Sequence, residues 1–344
     1  MAEEYHSNSF NKDEEILKDY TGSDRYVLFP VKYHDLYELY KKSQSVYWVP
    51  EEIVFSQDIK DLDKLNENEK FFIFHILAFF AASDGLVMEN LALNFFEEVK
   101  IPEARQNYAF QNAMEAIHSE TYSLLINTYC RNDLTKKEEL FRAVENFPAI
   151  KEKAEWAMKW IGNGEKASFA QRLIAFSIVE GLQFSSSFCS IFWIRTRGLL
   201  PGLTMSNDFI SRDEGLHTDF AVALYRHIKN RVPERIVHKM FKDAVDIEKR
   251  FITESIRCSM IGMNEDLMKQ YIEYIADRLL GMLGYTKIYN KENPFTFMEL
   301  GSVQGKTNFF DKKNSDYQRA SIQISNDGST RSAIPDKFEI SDDF

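Results

Sequence analysis

The sequence is poor in the residues that interrupt regular secondary structure. Its 344 residues include only 14 glycines and 8 prolines, few for a β-rich or loop-rich protein of this size. Cysteine is scarcer still, because only Cys130, Cys189 and Cys258 occur and no two of them form a C-x-x-C pair. Widely spaced cysteines in odd number, without zinc-ligand spacing, indicate reduced thiols in a reducing compartment. These shortages exclude disulfide-stapled scaffolds and zinc-finger modules.

Excess positive charge and a long uncharged run are also missing. The net charge is −11 and the isoelectric point is about 5.3, which argues against binding to nucleic acid or to anionic membranes. The longest weakly charged run, residues 173–194, contains Glu180, Gly181, Gln183 and several serines, so it is typical of a buried helix rather than a membrane span. The first residues are polar and acidic, unlike a secretory or mitochondrial leader. We therefore expect a soluble, cytoplasmic protein.

The sequence does contain long helical stretches separated by short polar breaks. Residues 1–25 are expected to form a polar arm too charged to pack, residues 26–310 a helical domain, and residues 311–344 a disordered tail. Within the domain, helices are predicted at about 67–98, 102–130, 136–147, 149–162, 168–195, 206–229, 233–256 and 264–284. The predicted fold class is an all-α bundle.

The motif Glu-x-x-His occurs three times, at Glu3/His6, Glu115/His118 and Glu214/His217. The first pair lies in the polar arm and carries no prediction. The other two lie on predicted helices, where side chains three residues apart share one face. Spacing alone favours an ordinary surface or capping pair.

Two isolated acids in apolar helices change this interpretation. Glu180 is the only charged residue between Leu173 and Ile194, and Asp84 ends the apolar run that begins at Phe71. A lone buried carboxylate costs several kcal/mol unless it is paired, protonated or bound to a metal. Both helices therefore indicate a polar site inside the core.

Four predicted helices each direct an acid, or an acid and a histidine, into that core. Together Asp84, Glu115, Glu180 and Glu214 carry a charge that two divalent cations would balance. Carboxylates mixed with imidazoles suit iron or manganese better than magnesium or structural zinc. One carboxylate from each of two helices plus Glu-x-x-His from each of two others is typical of ferritin-like di-iron or di-manganese proteins. The alternative is a set of buried carboxylates neutralised by Arg and Lys, of which these helices contain few.

Aromatic and histidine residues near these acids have different interpretations. His75 lies about 180° around the helix from Asp84, so we expect a hydrogen-bonded core or interface histidine. A phenylalanine stripe on the same helix is interpreted as packing, and its members are Phe71, Phe72, Phe74, Phe79 and Phe80. Tyr122 lies one turn beyond His118 on the ligand face. A buried tyrosine with a satisfied hydroxyl is common, but a phenol beside a metal-bound oxidant indicates one-electron chemistry, which a storage ferritin does not need.

Longer segments resemble a known family. Six of them closely resemble the ribonucleotide reductase small subunit in its eukaryotic-type class I form, and they read FFAASDGLVMENL, AMEAIHSETYSLLI, VEGLQFSSSFCSIFW, PGLTMSNDFISRDEGLHTDF, IGMNEDLMKQYIEYIADRLL and QGKTNFF. The resemblance covers roughly residues 25–320 in order, with the spacing of the candidate ligands preserved. It implies a ferritin-like bundle with additional helices that acts as the radical-generating subunit of a ribonucleoside-diphosphate reductase.

The resemblance implies two iron ions per chain, oxo-bridged when oxidised, or manganese in their place. It assigns one ion to Asp84, Glu115 and His118, and the other to Glu180, Glu214 and His217, with bridging carboxylates between them. It also implies that Tyr122 becomes a stable tyrosyl radical once the reduced centre has reacted with dioxygen.

The resemblance further implies a route for the radical and a partner that receives it. Trp48 matches the family's electron-transfer tryptophan, and Asp213 matches the carboxylate that links this tryptophan to His118. Tyr317 matches the tail tyrosine that carries the oxidising equivalent towards the large subunit. The acidic C-terminal segment ending in Phe344 resembles the peptide that docks on the large subunit, and a homodimer of small subunits is implied as well.

The region around the radical site matches the family with two differences. Phe184 and Phe188 match its apolar radical pocket. Gln183 stands where close relatives often have Phe, and Ser186 stands where Gly is common, so oxygen access or radical lifetime can differ. All ligand positions and Tyr122 are retained, which argues against a metal-less paralogue.

Three other functions remain open from the sequence. A ferritin-type storage protein would take up iron without forming a radical. A di-iron oxygenase would consume dioxygen with its own substrate and without a partner subunit. A regulatory paralogue would bind metal poorly and only stabilise another small subunit.

Overall fold

The computed structural model describes residues 14–19, 26–131, 133–161, 167–255 and 264–298, and the backbone of two short strands farther along the chain. The predictions that concern Glu3, His6, Cys258, Tyr317 and Phe344 lie outside these residues. Cys130 and Cys189 are free and buried, as predicted for reduced thiols.

The described part of the first 298 residues is an assembly of helices, as predicted. In chain order they are α1 (His34–Ser45), α2 (Ser56–Leu62), α3 (Glu67–Asn90), α4 (Pro102–Cys130), α5 (Leu134–Phe141), α6 (Ala143–Asn146), α7 (Pro148–Ile161), α8 (Phe169–Ile178), α9 (Ser185–Thr196), α10 (Pro201–Arg226), α11 (Glu234–Ser255) and α12 (Glu265–Met282). Two π-helical turns extend these elements, Leu91–Phe95 after α3 and Val179–Gln183 between α8 and α9, and a single α-helical turn at Phe96–Glu98 follows the first of them. Short 3-10 turns lie at Glu15–Leu17 and Pro50–Glu52.

Local sequence signals explain where several long helices begin. The Asn66 side chain accepts a hydrogen bond from the main-chain N–H of Glu69 at the start of α3, and the Glu69 carboxylate accepts one from the N–H of Asn66. Ser168 and Gln171 form the same reciprocal cap on α8. Pro102 occupies the first turn of α4, where its missing N–H has no intrahelical partner to lose. These caps agree with the starts predicted for the helices.

Helix α10 begins at Pro201, whereas we predicted a start near residue 206, so this boundary was wrong. The cap comes from a distant residue. The buried carboxylate of Asp58 on α2 accepts hydrogen bonds from the N–H groups of Gly202 and Leu203, each at 2.8 Å. It also accepts one at 2.6 Å from the hydroxyl of Tyr129 on α4. Asp58 therefore joins three helices at the start of α10, which carries part of the candidate site.

We expect Asp58→Ala to lower the free energy of unfolding by about 2–3 kcal/mol, because it removes a helix cap and leaves the buried Tyr129 hydroxyl without its acceptor. Equilibrium denaturation measures the loss. The matched control is Asp133→Ala, which removes the exposed cap of α5, where the side chain accepts from the N–H of Lys136 at 2.9 Å. Its expected cost is about 1 kcal/mol. Equal small losses in both variants would contradict the linking role of Asp58.

The N-terminal segment is better packed than the sequence suggested. Ile16 is fully buried and Glu14 is 2% exposed. The Glu14 carboxylate accepts hydrogen bonds from the N–H groups of Lys229 and Asn230, each at 2.8 Å. The expectation that the first 25 residues are too charged to pack was therefore wrong for this stretch, because main-chain donors satisfy its buried carboxylate.

The most apolar helices form the core of the bundle. Helix α3 packs against α4, and α8 and α9 pack against α10. Two continuous stretches, Glu67–Glu98 and Phe169–Thr196, are long and apolar enough to cross a membrane by length and composition, but their most apolar windows are 56% and 94% buried within the fold. They are core helices, and the first of them also leaves apolar surface exposed.

The chain divides into two compact units, residues 1–298 and 299–344. The boundary lies before the expected one at residue 310. In the second unit, β1 (Ile322–Ile324) pairs antiparallel with β2 (Thr330–Ser332). The rest of the predicted tail lies outside the described residues, so its disorder stays a prediction.

Candidate metal centre

Four elements bring the predicted acidic and histidine side chains together inside the bundle. The six side chains are Asp84 on α3, Glu115 and His118 on α4, Glu180 on the second π-helical turn, and Glu214 and His217 on α10. Each of them is at most 3% exposed. Ligand atoms of Glu115, Glu180, Glu214 and His217 all lie within 4.8 Å of one another. A metal ion can therefore be held by this buried set.

The two histidines face each other across two shared glutamates. Nδ1 of His118 lies 3.0 Å from Glu214 Oε1 and 3.4 Å from Glu115 Oε2. Nδ1 of His217 lies 2.9 Å from Glu214 Oε2 and 3.1 Å from Glu115 Oε1. Glu115 and Glu214 thus each contact both histidines, as carboxylates between two cations would. Glu180 approaches from the His217 side only, at 3.8 Å.

Burial and crowded charge shift the pKa values of three carboxyl groups in this cluster. Burial and the neighbouring Glu115 raise the pKa of Asp84 well above its ordinary value. Burial and Glu214 do the same to the pKa of Glu180. Burial would also raise the pKa of Glu214, but Glu180, His217 and His118 hold it well below the usual range. Adjacent carboxylates with opposite shifts cannot all be charged without added cations.

The pKa values of the two histidines are raised, which is the direction that acidic neighbours impose. Burial alone would lower the pKa of His118, yet hydrogen bonds to Asp213, Glu115 and Glu214 raise it well above its ordinary value. The pKa of His217 is raised for the same kind of reason, chiefly by Glu214 and Glu115.

Buried carboxylate oxygens that accept no hydrogen bond indicate whether a metal fits the site. Within the described residues, Asp84 Oδ2 and both carboxylate oxygens of Glu180 accept no hydrogen bond. The ion-pair partners of the cluster's glutamates in the same part of the chain are the two histidines, with no Lys or Arg among them. Buried oxygens without donors are the groups that a cation satisfies. The residues present fit a bound metal, and they disfavour the alternative of carboxylates neutralised by Arg and Lys.

Tyr122 lies in an aromatic pocket beside the cluster. It is 2% exposed, and its ring stacks on Phe80 with a centroid distance of 4.6 Å. Phe188 and Phe184 in turn pack against Phe80, with ring-centroid distances of 5.0 and 5.8 Å. Burial raises the pKa of Tyr122 well above its ordinary value, and among its neighbours Asp84 adds most to the rise. The phenol is therefore held neutral and away from water.

Phe80 is a site residue that the sequence analysis did not identify as such. It was assigned to core packing with the rest of its stripe, although it lies one turn before Asp84 on the same face of α3. That spacing was the available signal. His75 is a core histidine, as predicted, since it is 1% exposed and packs between Phe147 and Phe251; its predicted hydrogen bond stays a prediction.

A second set of contacts leads from the cluster towards Trp48. Nε2 of His118 lies 3.1 Å from Asp213 Oδ2. The same oxygen accepts a hydrogen bond of 2.7 Å from Nε1 of Trp48, and the Trp48 ring stacks on that of His118 at 6.0 Å. Trp48 is 1% exposed. The three residues thus form a continuous buried hydrogen-bonded series.

Gln111 is another contact that sequence reasoning missed. Its Nε2 lies 3.5 Å from Glu115 Oε1, one turn earlier on α4. Its side chain is buried, at 1% exposure. A polar residue one turn from a ligand on the same helix face was the signal that could have identified it.

Comparison with known proteins agrees with this geometry. Residues 25–294 match the family model described as ribonucleotide reductase, small chain. The ribonucleoside-diphosphate reductase small subunit of Dictyostelium discoideum is 52% identical over 332 residues, covering 96% of this chain and 97% of that protein. The ribonucleoside-diphosphate reductase small chain of Neurospora crassa is 54% identical over 321 residues, covering 93% of this chain and 78% of that protein.

A solved structure shows that the fold is shared as well. The ribonucleotide reductase Rnr4 homodimer from Saccharomyces cerevisiae superposes with a TM-score of 0.77 at 35% identity, covering 87% of this chain and 94% of that chain. The predicted all-α, ferritin-like bundle with additional helices is confirmed. The chain therefore belongs to the ribonucleotide reductase small chain family, as the small subunit of a ribonucleoside-diphosphate reductase, an oxidoreductase.

Proposed function

We propose that this chain forms a tyrosyl radical on Tyr122 at a di-iron centre and passes it to a large subunit, which reduces ribonucleotides to deoxyribonucleotides. The observation that carries the proposal is one continuous buried assembly. It comprises the carboxylate and histidine cluster, Tyr122 enclosed beside it, and the series of contacts from His118 through Asp213 to Trp48.

The six predicted ligands would hold the two metal ions. Asp84, Glu115 and His118 are assigned to one, and Glu180, Glu214 and His217 to the other. Glu115 and Glu214 are suited to bridging, because each contacts both histidines. Iron bound there supplies the one chemistry that no side chain has, the reduction of dioxygen to an oxidant that can oxidise a phenol; manganese is the alternative metal.

The surroundings of Tyr122 determine what the phenol can do. Its raised pKa disfavours tyrosinate, so the side chain gives up its electron and its hydroxyl proton together. Asp84 is the carboxylate that most affects Tyr122 electrostatically, and we assign it to receive that proton once a bound metal keeps it ionised against its raised pKa. The stacked Phe80 and the neighbouring Phe184 and Phe188 exclude water and reductants, which lengthens the life of the radical.

Trp48, Asp213 and His118 are assigned to radical transfer. Asp213 accepts the Trp48 indole hydrogen and contacts His118 through the same oxygen. A proton can therefore move along this series when an electron passes, so that no isolated charge is left in the core. Tyr317 is assigned to the next step, towards the large subunit.

The partners follow from the family. A small chain implies a large-subunit partner, and we assign the acidic C-terminal segment ending in Phe344 as its docking peptide. We also propose a homodimer, supported by the homodimeric Saccharomyces cerevisiae structure and by the partly exposed apolar stretch Glu67–Glu98. A cytoplasmic location fits the free, buried thiols of Cys130 and Cys189.

Reconstitution tests the proposal as a whole. The iron-loaded chain, mixed with the large subunit of the same organism, is expected to reduce ribonucleoside diphosphates, and neither subunit alone is expected to do so. A synthetic peptide of residues 338–344 should inhibit by competing for the large subunit. Iron uptake without partner-dependent turnover would favour storage or a regulatory role, and dioxygen consumption coupled to another substrate would favour an oxygenase.

A further inference from the structure

A lysine is buried behind the segment that carries Glu180. Lys153 on α7 is 1% exposed, and its Nζ lies 2.7 Å from Glu248 Oε2 on α11. The same Nζ donates a hydrogen bond of 2.6 Å to the main-chain carbonyl of Gln183, the last residue of the second π-helical turn. It also lies over the ring faces of Phe79 and Phe251, at 3.4 and 3.9 Å from their centroids. Lys153 is thus fixed by four separate contacts.

The other member of this ion pair, Glu248, contacts helix α9. Glu248 is fully buried. Its Oε1 accepts a hydrogen bond from the hydroxyl of Ser186, in the first turn of α9. Burial raises the pKa of Glu248, and Lys153 together with the hydroxyl and main-chain N–H of Ser186 opposes that rise. The pair therefore contacts the chain on both sides of Phe184, once at Gln183 and once at Ser186.

The segment that these contacts hold is buried among several helices and adjoins a small cavity. A π-helical turn interrupts the regular i→i+4 hydrogen bonding of an α-helix, and such turns are frequent at functional sites. A cavity of about 30 Å³ adjoins this turn, lined among others by Val179, Gln183, Phe184 and Lys153. Side chains beside a cavity lose packing contacts. At the end of the turn, the main-chain carbonyl of Gln183 is held by the Lys153 member of the ion pair.

We infer that the Lys153–Glu248 ion pair is a positioning clamp that holds the segment from Val179 to Ser186, and with it the Glu180 ligand and the Phe184 wall of the Tyr122 pocket. The clamp acts through the main chain at Gln183 and through Ser186, without touching the metal cluster or the phenol. This inference rests on the proposed function for its effect on the radical, and on geometry alone for its effect on the segment. It also gives Ser186, where relatives often have Gly, a defined contact.

The test uses the full chain with both charges removed, as Lys153→Met/Glu248→Met. Replacing a buried ion pair by apolar residues of similar size often leaves stability unchanged or higher. A merely structural role therefore predicts unaltered behaviour of the segment. The clamp predicts that hydrogen exchange in the metal-free protein becomes about tenfold faster or more in peptides covering residues 179–190, and stays unchanged in those covering residues 102–130. In the iron-loaded protein, the tyrosyl radical half-life should shorten several-fold.

A matched control exists on the same two helices. Arg250 on α11 donates to Glu152 on α7, with Nε to Oε2 at 2.9 Å, and both side chains are largely exposed. Removing that pair as Glu152→Gln/Arg250→Met should leave exchange at residues 179–190 unchanged. If the buried double variant does not fold, Ser186→Ala decides, with a smaller increase expected in the same peptides.

The two proposals fail separately. Unchanged exchange at residues 179–190 in both clamp variants would overturn the positioning role, whatever the wild type does with iron. If the clamp variants exchange faster at residues 179–190 but the wild type forms no radical, the clamp is supported and the proposed function is contradicted.

Discussion

Replacing Tyr122 by phenylalanine is expected to reduce partner-dependent ribonucleotide reduction to background, with metal content and fold unchanged. The substitution removes one hydroxyl and keeps the ring stacked on Phe80 at 4.6 Å. A phenyl ring cannot be oxidised at potentials that oxidise a phenol, so the site loses only its capacity to store the radical. Turnover with the large subunit and metal ions per chain are the two quantities to measure.

Tyr108→Phe is the matched control for this variant. Tyr108 lies on the same helix, is 1% exposed, stacks on Phe95 at 5.7 Å, and its hydroxyl has no hydrogen-bond partner among the described residues. Loss of that hydroxyl should leave turnover unchanged. Substantial turnover in Tyr122→Phe, or equal losses in both variants, would show that Tyr122 is only a packing residue.

Trp48→Phe is expected to separate radical formation from radical use. It removes the indole N–H that donates to Asp213 at 2.7 Å and keeps an aromatic ring in the same buried place. The six candidate ligands and Tyr122 keep their side chains, so the tyrosyl radical should still be detected. Turnover with the large subunit should fall by roughly 10²–10⁴-fold, the usual contribution of a positioned proton-transfer partner.

The control for Trp48→Phe is Trp156→Phe, which alters a tryptophan of similar burial on α7, at 6% exposure. It lies outside the hydrogen-bonded series and should preserve both radical and turnover. A Trp48→Phe protein with normal turnover would exclude this route. One that forms no radical would place Trp48 in assembly of the centre instead.

The sequence predicted those parts of the site that follow helical periodicity. Glu115, His118 and Tyr122 share one face of α4 because their spacing demands it, and an isolated acid in each apolar helix indicated Asp84 and Glu180. Both kinds of signal are local. The roles of Trp48, Asp213 and Tyr317 came only from family resemblance, because nothing in their local sequence places them near the cluster.

The features that were missed depend on contacts between distant parts of the chain. Asp58 caps α10 from another helix, and the prediction did not use the one local signal of the true start, Pro201 at the first helical position. Lys153 and Glu248 each resemble ordinary surface residues of amphipathic helices until the fold buries them together. Phe80 shares its stripe with several packing residues, and only the geometry shows which ring meets Tyr122.

Electron paramagnetic resonance gives the most direct test of the central claim. The purified protein is loaded anaerobically with iron(II) and exposed to air, beside Tyr122→Phe treated in the same way. We expect a tyrosyl doublet in the wild type that is absent from the variant, with equal iron bound by both. The account would be contradicted if the metal is bound and oxidised but no tyrosyl signal appears. This must hold for protein loaded with iron and for protein loaded with manganese.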